Sequence, residues 1–255
     1  MTSTQTIKVR RTDSWLPVLL LSVAAVGWWF SAATAANMGT RPGADSMSMR
    51  GNSMSFASFV LAWVAMMAAM MLPAVLPVVR LYGRAAARGT VAPVIVFVAG
   101  YLIVWSVVGL PAFLAWRSLN APLARADPWA GRIAGAVAVA AAVYQLTPLK
   151  TLCLRHCRSP MSFFLRHGKN LDRPSGAVLA GARHGLYCLG CCWLLMAILV
   201  AFGTMQLGLM VALAVLILLE KDAPFGERLA QFAGAGFFVV GAALVLHPSF
   251  ISYIV

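Results

Sequence analysis

Charged residues are scarce in this sequence. Asp, Glu, Lys and Arg make up 11% of its 255 residues, and hydrophobic residues make up 61%, whereas a soluble domain carries about a quarter charged residues. A soluble fold of this length could not bury so much apolar surface in its core. The composition therefore excludes an ordinary soluble domain and indicates an integral membrane protein with the lipid bilayer as its surroundings.

Acidic residues are much rarer than basic residues. Seven Asp and Glu stand against 20 Lys and Arg, which gives a net charge of +13. Such a charge is common in nucleic-acid-binding proteins, but here the basic residues lie between apolar runs and form no separate soluble face. Basic residues that flank apolar segments are typical of cytoplasmic loops. A nucleic acid is therefore excluded as a partner.

Several motifs of energy-coupled and redox proteins are also missing. The sequence has no Walker motif, which argues against transport driven by its own ATP hydrolysis. It has no Cys-x-x-Cys-His segment for covalent haem attachment. Its five cysteines, three of them crowded together, do not form the framework of a disulfide-rich secreted domain. Their clustering points instead to metal or redox chemistry.

Seven apolar segments are each close to the roughly 20 residues that a helix needs to cross a bilayer. Because the backbone within lipid must satisfy its own hydrogen bonds, these segments are predicted to be helices. The predicted fold is an all-α, polytopic transmembrane bundle in a single membrane domain over residues 1–255. The predicted spans are 15–36, 55–79, 91–116, 129–147, 177–203, 206–220 and 230–247, with a turn at 203–206 and a basic loop at 148–175.

The distribution of basic residues predicts the orientation. With the N-terminus inside, fifteen of the 20 Lys and Arg residues fall on the cytoplasmic side, as the positive-inside rule requires. We therefore predict an N-in, C-out protein of the bacterial inner membrane. The segments KVRR and ATAAN, which flank the first apolar run, are also compatible with a cleavable signal peptide. Whether residues 1–36 are retained or cleaved stays open.

One apolar segment, GARHGLYCLGCCWLLM at 181–196, contains a histidine and three cysteines. At about 100° and 1.5 Å per helical residue, these four side chains fall within an arc of roughly 100° along about 12 Å of helix. A single cysteine there would be an ordinary small buried hydrophobe. Four soft or borderline ligands on one stripe favour metal binding or redox chemistry. The candidates are His184, Cys188, Cys191 and Cys192.

Methionine is the second signal, since eight of the 13 methionines lie between Met38 and Met71. Met66 and Met70 form an i,i+4 pair in the second predicted span, and Met67 and Met71 form another. Thioethers select Cu(I) over harder cations and are absent from the usual zinc ligand set. Methionine is also a flexible filler of apolar cores, so both readings stay open. Three further candidates lie in the predicted external loop: Met47, Met49 and Met54.

A third cluster lies in KTLCLRHCRSP, just after the fourth predicted span. Cys153, His156 and Cys157 are close in sequence and stand in a basic segment on the predicted cytoplasmic side. They are weaker candidates for metal ligands, because incidental cysteines in a membrane-edge loop explain them equally well.

Some charged residues are expected within the membrane or at its edge. Glu220 and Lys221 close the sixth predicted span, and Arg183 is expected at the same depth near the cytoplasmic side. Ionisable groups in a membrane usually find partners. We therefore predict a structural pair between Glu220 and Arg183.

The segments MMAAMMLP, PLKTLCLRHCRSP, HGLYCLGCCWLLM and LLEK, in this order, resemble a bacterial family of predicted metal-binding integral membrane proteins, some of which are called copper chaperones. The likeness covers the chain from Ser55 to Arg228 and is most specific in YCLGCCW. It implies a polytopic inner-membrane protein and supplies neither a substrate nor a reaction. The metal ligands that it implies are Cys188, Cys191 and Cys192 and, more weakly, Met66, Met67, Met70 and Met71.

The soft ligands together favour a protein that binds Cu(I) and either transports it or delivers it to a copper enzyme. Zinc is less favoured, because Zn²⁺ would need His184 or a further thiolate in place of the thioethers. Two alternatives remain. One is a membrane thiol–disulfide oxidoreductase that uses Cys188 and Cys191, although a role without catalysis is favoured. The other is a structural or assembly subunit in which the cysteines are inert.

Overall fold

The computed structural model describes residues 3–39, 55–87, 92–125, 127–158, 171–203 and 206–250, and within the first helix the side chains of residues 16–34. This part of the chain forms helices and no β-strand, which confirms the predicted all-α fold. The helices are α1 (Ser3–Gly39), α2 (Phe56–Ala87), α3 (Val94–Ala124), α4 (Pro128–Gln145), α5 (Pro148–Arg158), α6 (Pro174–Ala201), α7 (Leu207–Asp222) and α8 (Gly226–Leu246), followed by a 3₁₀ turn at Pro248–Phe250.

The helices are typical of a multi-pass membrane protein, although their number differs from the seven predicted spans. Within the described ranges, five helices are long and apolar enough to cross a membrane: α1, α2, α3, α6 and α8. The bent pair of α4 and α5 raises the number to six if it is counted as one span. The sixth predicted span, 206–220, corresponds to α7, which has 16 residues. At 1.5 Å per residue it is about 24 Å long, shorter than a hydrocarbon core of about 30 Å.

The predicted loop at 148–175 is wrong in its first part, because residues 148–158 form helix α5. α4 and α5 meet at an angle of 68°. Proline disfavours helical geometry in the residue before it but is well suited to the first turn of a helix. Pro148 therefore accounts both for the end of α4 and for the start of α5. Residues 159–170 lie outside the described residues, as does the predicted external loop with Met47, Met49 and Met54.

Glycines allow α3 and α6 to pack backbone against backbone. A Cβ atom added at Gly181 would clash with the carbonyl oxygen of Phe97, and one added at Gly100 would clash with that of Val178. Small residues let membrane helices approach this closely. The close contact fixes the register of α6 against α3.

The short helices end beside the middle of α6. α6 ends at Ala201, and Gly203 adopts a φ of 104°, a left-handed conformation that glycine accommodates without strain. α7 then runs back along the bundle until Lys221, in its last turn, reaches Cys188. α4 ends at the same level, where Tyr144 donates a hydrogen bond to the carbonyl of Gly190. We call this region the helix junction: the ends of α4 and α7 and the adjoining α5, against residues 188–192 of α6.

Candidate metal centre

Cys188 is the point at which four helices meet at the helix junction. Its side chain is 1% exposed. Its Sγ lies 3.0 Å from the Tyr101 hydroxyl of α3 and accepts a hydrogen bond of 3.0 Å from Lys221 Nζ of α7. Met71 Sδ of α2 lies 4.0 Å from the same sulfur and 4.0 Å from Lys221 Nζ. A thiol, a thioether and an ammonium group therefore share one buried site.

The two neighbouring cysteines lie on the same buried face of α6. The thiols of Cys191 and Cys192 donate hydrogen bonds to the carbonyl of Cys188, at 3.0 and 2.9 Å. Such back-bonding to the preceding turn is available because the thiols follow at i+3 and i+4. The side chains of Cys188, Cys191 and Cys192 also interact with one another. The stripe expected from helical spacing is thus a compact group of sulfur atoms.

Helix α5 adds its own cysteines to this group, although the sequence placed them in a separate loop. Cys157 packs against the buried core that contains Cys191, and the two thiols interact with each other. The Cys153 sulfur packs on Gly190, where an added Cβ would lie 2.7 Å from it. His156 stacks on Tyr187 of α6, with ring centroids 4.6 Å apart. All three members of the weaker candidate cluster therefore face α6.

An arginine fixes the end of α5 to the end of α7. Arg158 Nε donates a hydrogen bond of 3.1 Å to the carbonyl of Lys221, and its Nη2 donates another to the carbonyl of Ala223. The last carbonyls of a helix have no hydrogen-bond donor within the helix, so Arg158 supplies donors to carbonyl groups at the end of α7 that the helix itself leaves unpaired. The same contact holds Cys157 and Lys221 at the helix junction.

The predicted pair between Glu220 and Arg183 is wrong. Glu220 forms a buried salt bridge of 2.7 Å with Lys150 and accepts a hydrogen bond of 2.9 Å from Gln145. The bend between α4 and α5 turns Lys150 into the bundle, whereas Arg183 is exposed on the outer face of α6. Removing one partner of such a buried pair typically costs about 3–5 kcal/mol. This pair therefore anchors α7 at the helix junction.

The other predicted ligands occupy different surroundings. Met66 lines a separate cavity with Phe30 and Ser31 of α1, and Met67 and Met70 are buried in the core. His184 is buried one turn before Cys188, and its ring centroid lies 6.1 Å from that of Tyr101. Among the four methionines of α2, Met71 places its sulfur beside that of a cysteine, Cys188.

The sulfur atoms are linked in a chain of contacts. It runs from Cys157 through Cys191 to Cys188 and Met71. Within the described ranges, no group of three or more His, Cys, Asp or Glu side chains is arranged to hold a metal ion.

Two residues of the site were missed by sequence reasoning. Tyr101 is one aromatic residue in an apolar span, and no local pattern separates it from core residues. Lys221 was assigned to the membrane interface together with Glu220. A lysine at the end of an apolar segment is by default a functional candidate, and this signal could have singled it out.

Comparisons with known proteins give one match. The family model PpoB2, described as a copper chaperone, matches residues 60–244, which is more than half of the chain. No curated protein and no solved structure matches the chain.

Proposed function

The chain belongs to the PpoB2 copper chaperone family, and from this membership and the buried sulfur group at Cys188 we propose that it binds Cu(I) as cargo. Cys188 and a second thiolate, from Cys191 or Cys192, would hold the ion, and Met71 would complete its coordination. The observation that carries the proposal is the meeting of Cys188 Sγ and Met71 Sδ from two distant helices, 4.0 Å apart.

The ligand types support Cu(I) over Zn(II). Thiolates and thioethers are soft ligands that select Cu(I), whereas a structural zinc site takes four ligands from Cys, His, Asp and Glu. A monovalent ion with two or three soft ligands fits the sulfur contacts that are present. His184, which was also predicted as a ligand, has its ring beside those of Phe97 and Tyr101 and lies outside this proposed set of ligands.

The local charge also supports a monovalent ion. The ammonium group of Lys221 lies 3.0 Å from Cys188 Sγ, so two thiolates with Cu(I) and this ammonium carry no net charge together. Zn(II) in the same place would leave one positive charge in the bundle. Burying an uncompensated charge is expensive, and the arrangement therefore favours the monovalent ion.

Delivery is the role that the family description favours. We infer that the protein is a multi-pass protein of the bacterial inner membrane that passes Cu(I) to a copper-requiring protein or membrane enzyme. The sulfur atoms bind the ion without oxidising it, so the role needs no catalysis.

Metal analysis of purified protein tests the proposal. The wild type, loaded with Cu(I) under anaerobic and reducing conditions in the presence of equimolar Zn(II), is expected to retain about one Cu(I) per chain and little zinc, as its soft ligands require. The triple variant Cys188→Ser, Cys191→Ser, Cys192→Ser is expected to lose the copper. Cys188→Ser and Cys192→Ser alone are each expected to reduce it strongly.

Cys153→Ser is the matched control, because its thiol packs on Gly190 outside the chain of sulfur contacts. It is expected to keep most of the copper. Equal copper content in the wild type and the triple variant would reject the proposal and leave the cysteines as packing residues. A disulfide between Cys188 and Cys191 that forms in turnover with a thiol substrate, without bound metal, would favour the oxidoreductase instead.

A further inference from the structure

Three cysteines of the sulfur group are buried within the described part of the chain. Cys188, Cys191 and Cys192 are each at most 2% exposed, so a donor or acceptor protein has no direct access to them. Cys157 is half-buried, packs against the buried core that contains Cys191, and its thiol interacts with that of Cys191. It is therefore the member of the chain of sulfur contacts that lies closest to the surface.

We propose that Cys157 and Cys191 form an outer Cu(I) site through which copper enters and leaves the inner site at Cys188 and Met71. This inference rests on the proposed function and adds the route of exchange. Cys191 belongs to both sites, because its side chain interacts with those of both Cys157 and Cys188. Copper would pass from one thiolate to the next without ever being released as a free ion.

The fold holds the outer site in place. Arg158, the residue after Cys157, donates hydrogen bonds to the carbonyls of Lys221 and Ala223. Gly190 leaves room for α5 to lie directly on α6, since a Cβ at this position would lie 2.7 Å from the Cys153 sulfur. Both features keep the Cys157 thiol against Cys191. Ligand exchange is fast when donor atoms are already within reach of each other.

Each transfer is a simple ligand exchange. One Cu–S bond forms to the incoming thiolate and one Cu–S bond breaks at the thiolate that is left behind. The copper remains Cu(I), so no oxidant or reductant is required. The proton of the thiol that gains the metal passes to the thiolate that loses it, and the charge of the site is unchanged.

The rate of copper removal tests this route. Cu(I)-loaded protein in detergent is mixed with bathocuproine disulfonate, a charged Cu(I) chelator that stays in water, and formation of the coloured complex is followed in time. Once the inner site of Cys157→Ser is loaded with Cu(I), this variant is expected to release copper at least about tenfold more slowly than the wild type, the lower end of the 10–100-fold losses typical when a supporting group at a metal site is removed. Cys157→Met, which keeps a soft donor, is expected to restore part of the rate.

Cys153→Ser serves as the control, because it removes a thiol from the same helix that packs on Gly190. It is expected to slow release less than Cys157→Ser does. An unchanged rate in Cys157→Ser, or equal slowing in both variants, would overturn the outer site. Loss of bound copper in Cys157→Ser would also overturn it, because Cys157 would then be a ligand of the resting site. Wild-type protein that binds no Cu(I) would instead overturn the proposed function.

Discussion

At the scale of single residues, Cys188 organises the site through three unlike contacts. The Tyr101 hydroxyl and the Lys221 ammonium can both donate hydrogen bonds to its sulfur, and Met71 brings a neutral sulfur to the same place. Hydrogen bonds and nearby positive charge stabilise negative charge on a buried atom. The contacts thus offset part of the cost that burial imposes on a thiolate at this sulfur, and Met71 adds a soft donor that brings no further charge.

Replacing Met71 tests how much the thioether contributes to Cu(I) binding independently of the thiols. Met71→Leu keeps the volume and apolar character of the side chain but removes the soft donor. We expect the protein to stay folded and to bind Cu(I) more weakly, by about tenfold if one ligand of modest strength is lost. Competition with a Cu(I) chelator measures the change. Met66→Leu is the matched control, because Met66 lines the cavity beside α1, and equal weakening by both variants would contradict a specific role for Met71.

Lys221 is expected to set the preference between monovalent and divalent ions. Lys221→Met removes its charge, so two thiolates are then neutralised by Zn(II) and not by Cu(I). Because an uncompensated buried charge costs several kcal/mol, the ratio of bound zinc to copper should rise by about tenfold or more. Metal analysis after competitive loading measures the ratio. Lys221→Arg, which keeps the charge, should preserve more of the copper preference, and an unchanged ratio in Lys221→Met would contradict this role.

At the scale of helices, the sequence predicted the local features and missed those that depend on tertiary contacts. Apolar length located the long spans, and helical spacing placed Cys188, Cys191 and Cys192 on one face. The same reasoning left 148–158 as a loop, because α5 is short and basic and is held on α6 by contacts with distant residues. It also paired Glu220 with Arg183, since sequence alone shows neither the bend before Pro148 nor the side of α6 that faces out.

The contact between α3 and α6 can be tested at one glycine. Gly181→Ala places a Cβ against the carbonyl of Phe97, and the two helices must separate. We expect a loss of about 1–3 kcal/mol of stability, as for other overpacked cores, and weaker copper binding because Cys188 shifts relative to Tyr101. Thermal unfolding in detergent measures the loss.

Gly236→Ala is the control for this substitution. Gly236 lies in α8, and an added Cβ meets no atom within 4 Å. The Gly236→Ala variant should be as stable as the wild type or slightly more so, because alanine has a higher helix propensity than glycine. Equal stability of both variants would show that the α3–α6 contact tolerates a methyl group.

At the scale of the whole molecule, the predicted orientation places the C-terminus on the external side, and the order of the helices is compatible with it. α6 ends at Ala201, α7 returns to the helix junction at Lys221, and α8 runs back along α4, with Pro248 beside Gly131. α7 thus brings the chain back as far as the helix junction, although it is shorter than a typical span. A reporter fused after Val255 is expected to be active outside the cytoplasm. Cytoplasmic activity would mean that α7 does not carry the chain back.

Copper K-edge X-ray absorption of the Cu(I)-loaded protein tests most directly whether the metal lies among the sulfur atoms around Cys188. The proposed ligands of the inner site are all sulfur atoms, from two cysteines and Met71. The expected spectrum is therefore that of Cu(I) with two or three sulfur neighbours. In Met71→Leu one sulfur neighbour should be lost. Copper with mainly nitrogen or oxygen neighbours, or an unchanged spectrum in the Cys188/Cys191/Cys192 triple serine variant, would contradict the assignment.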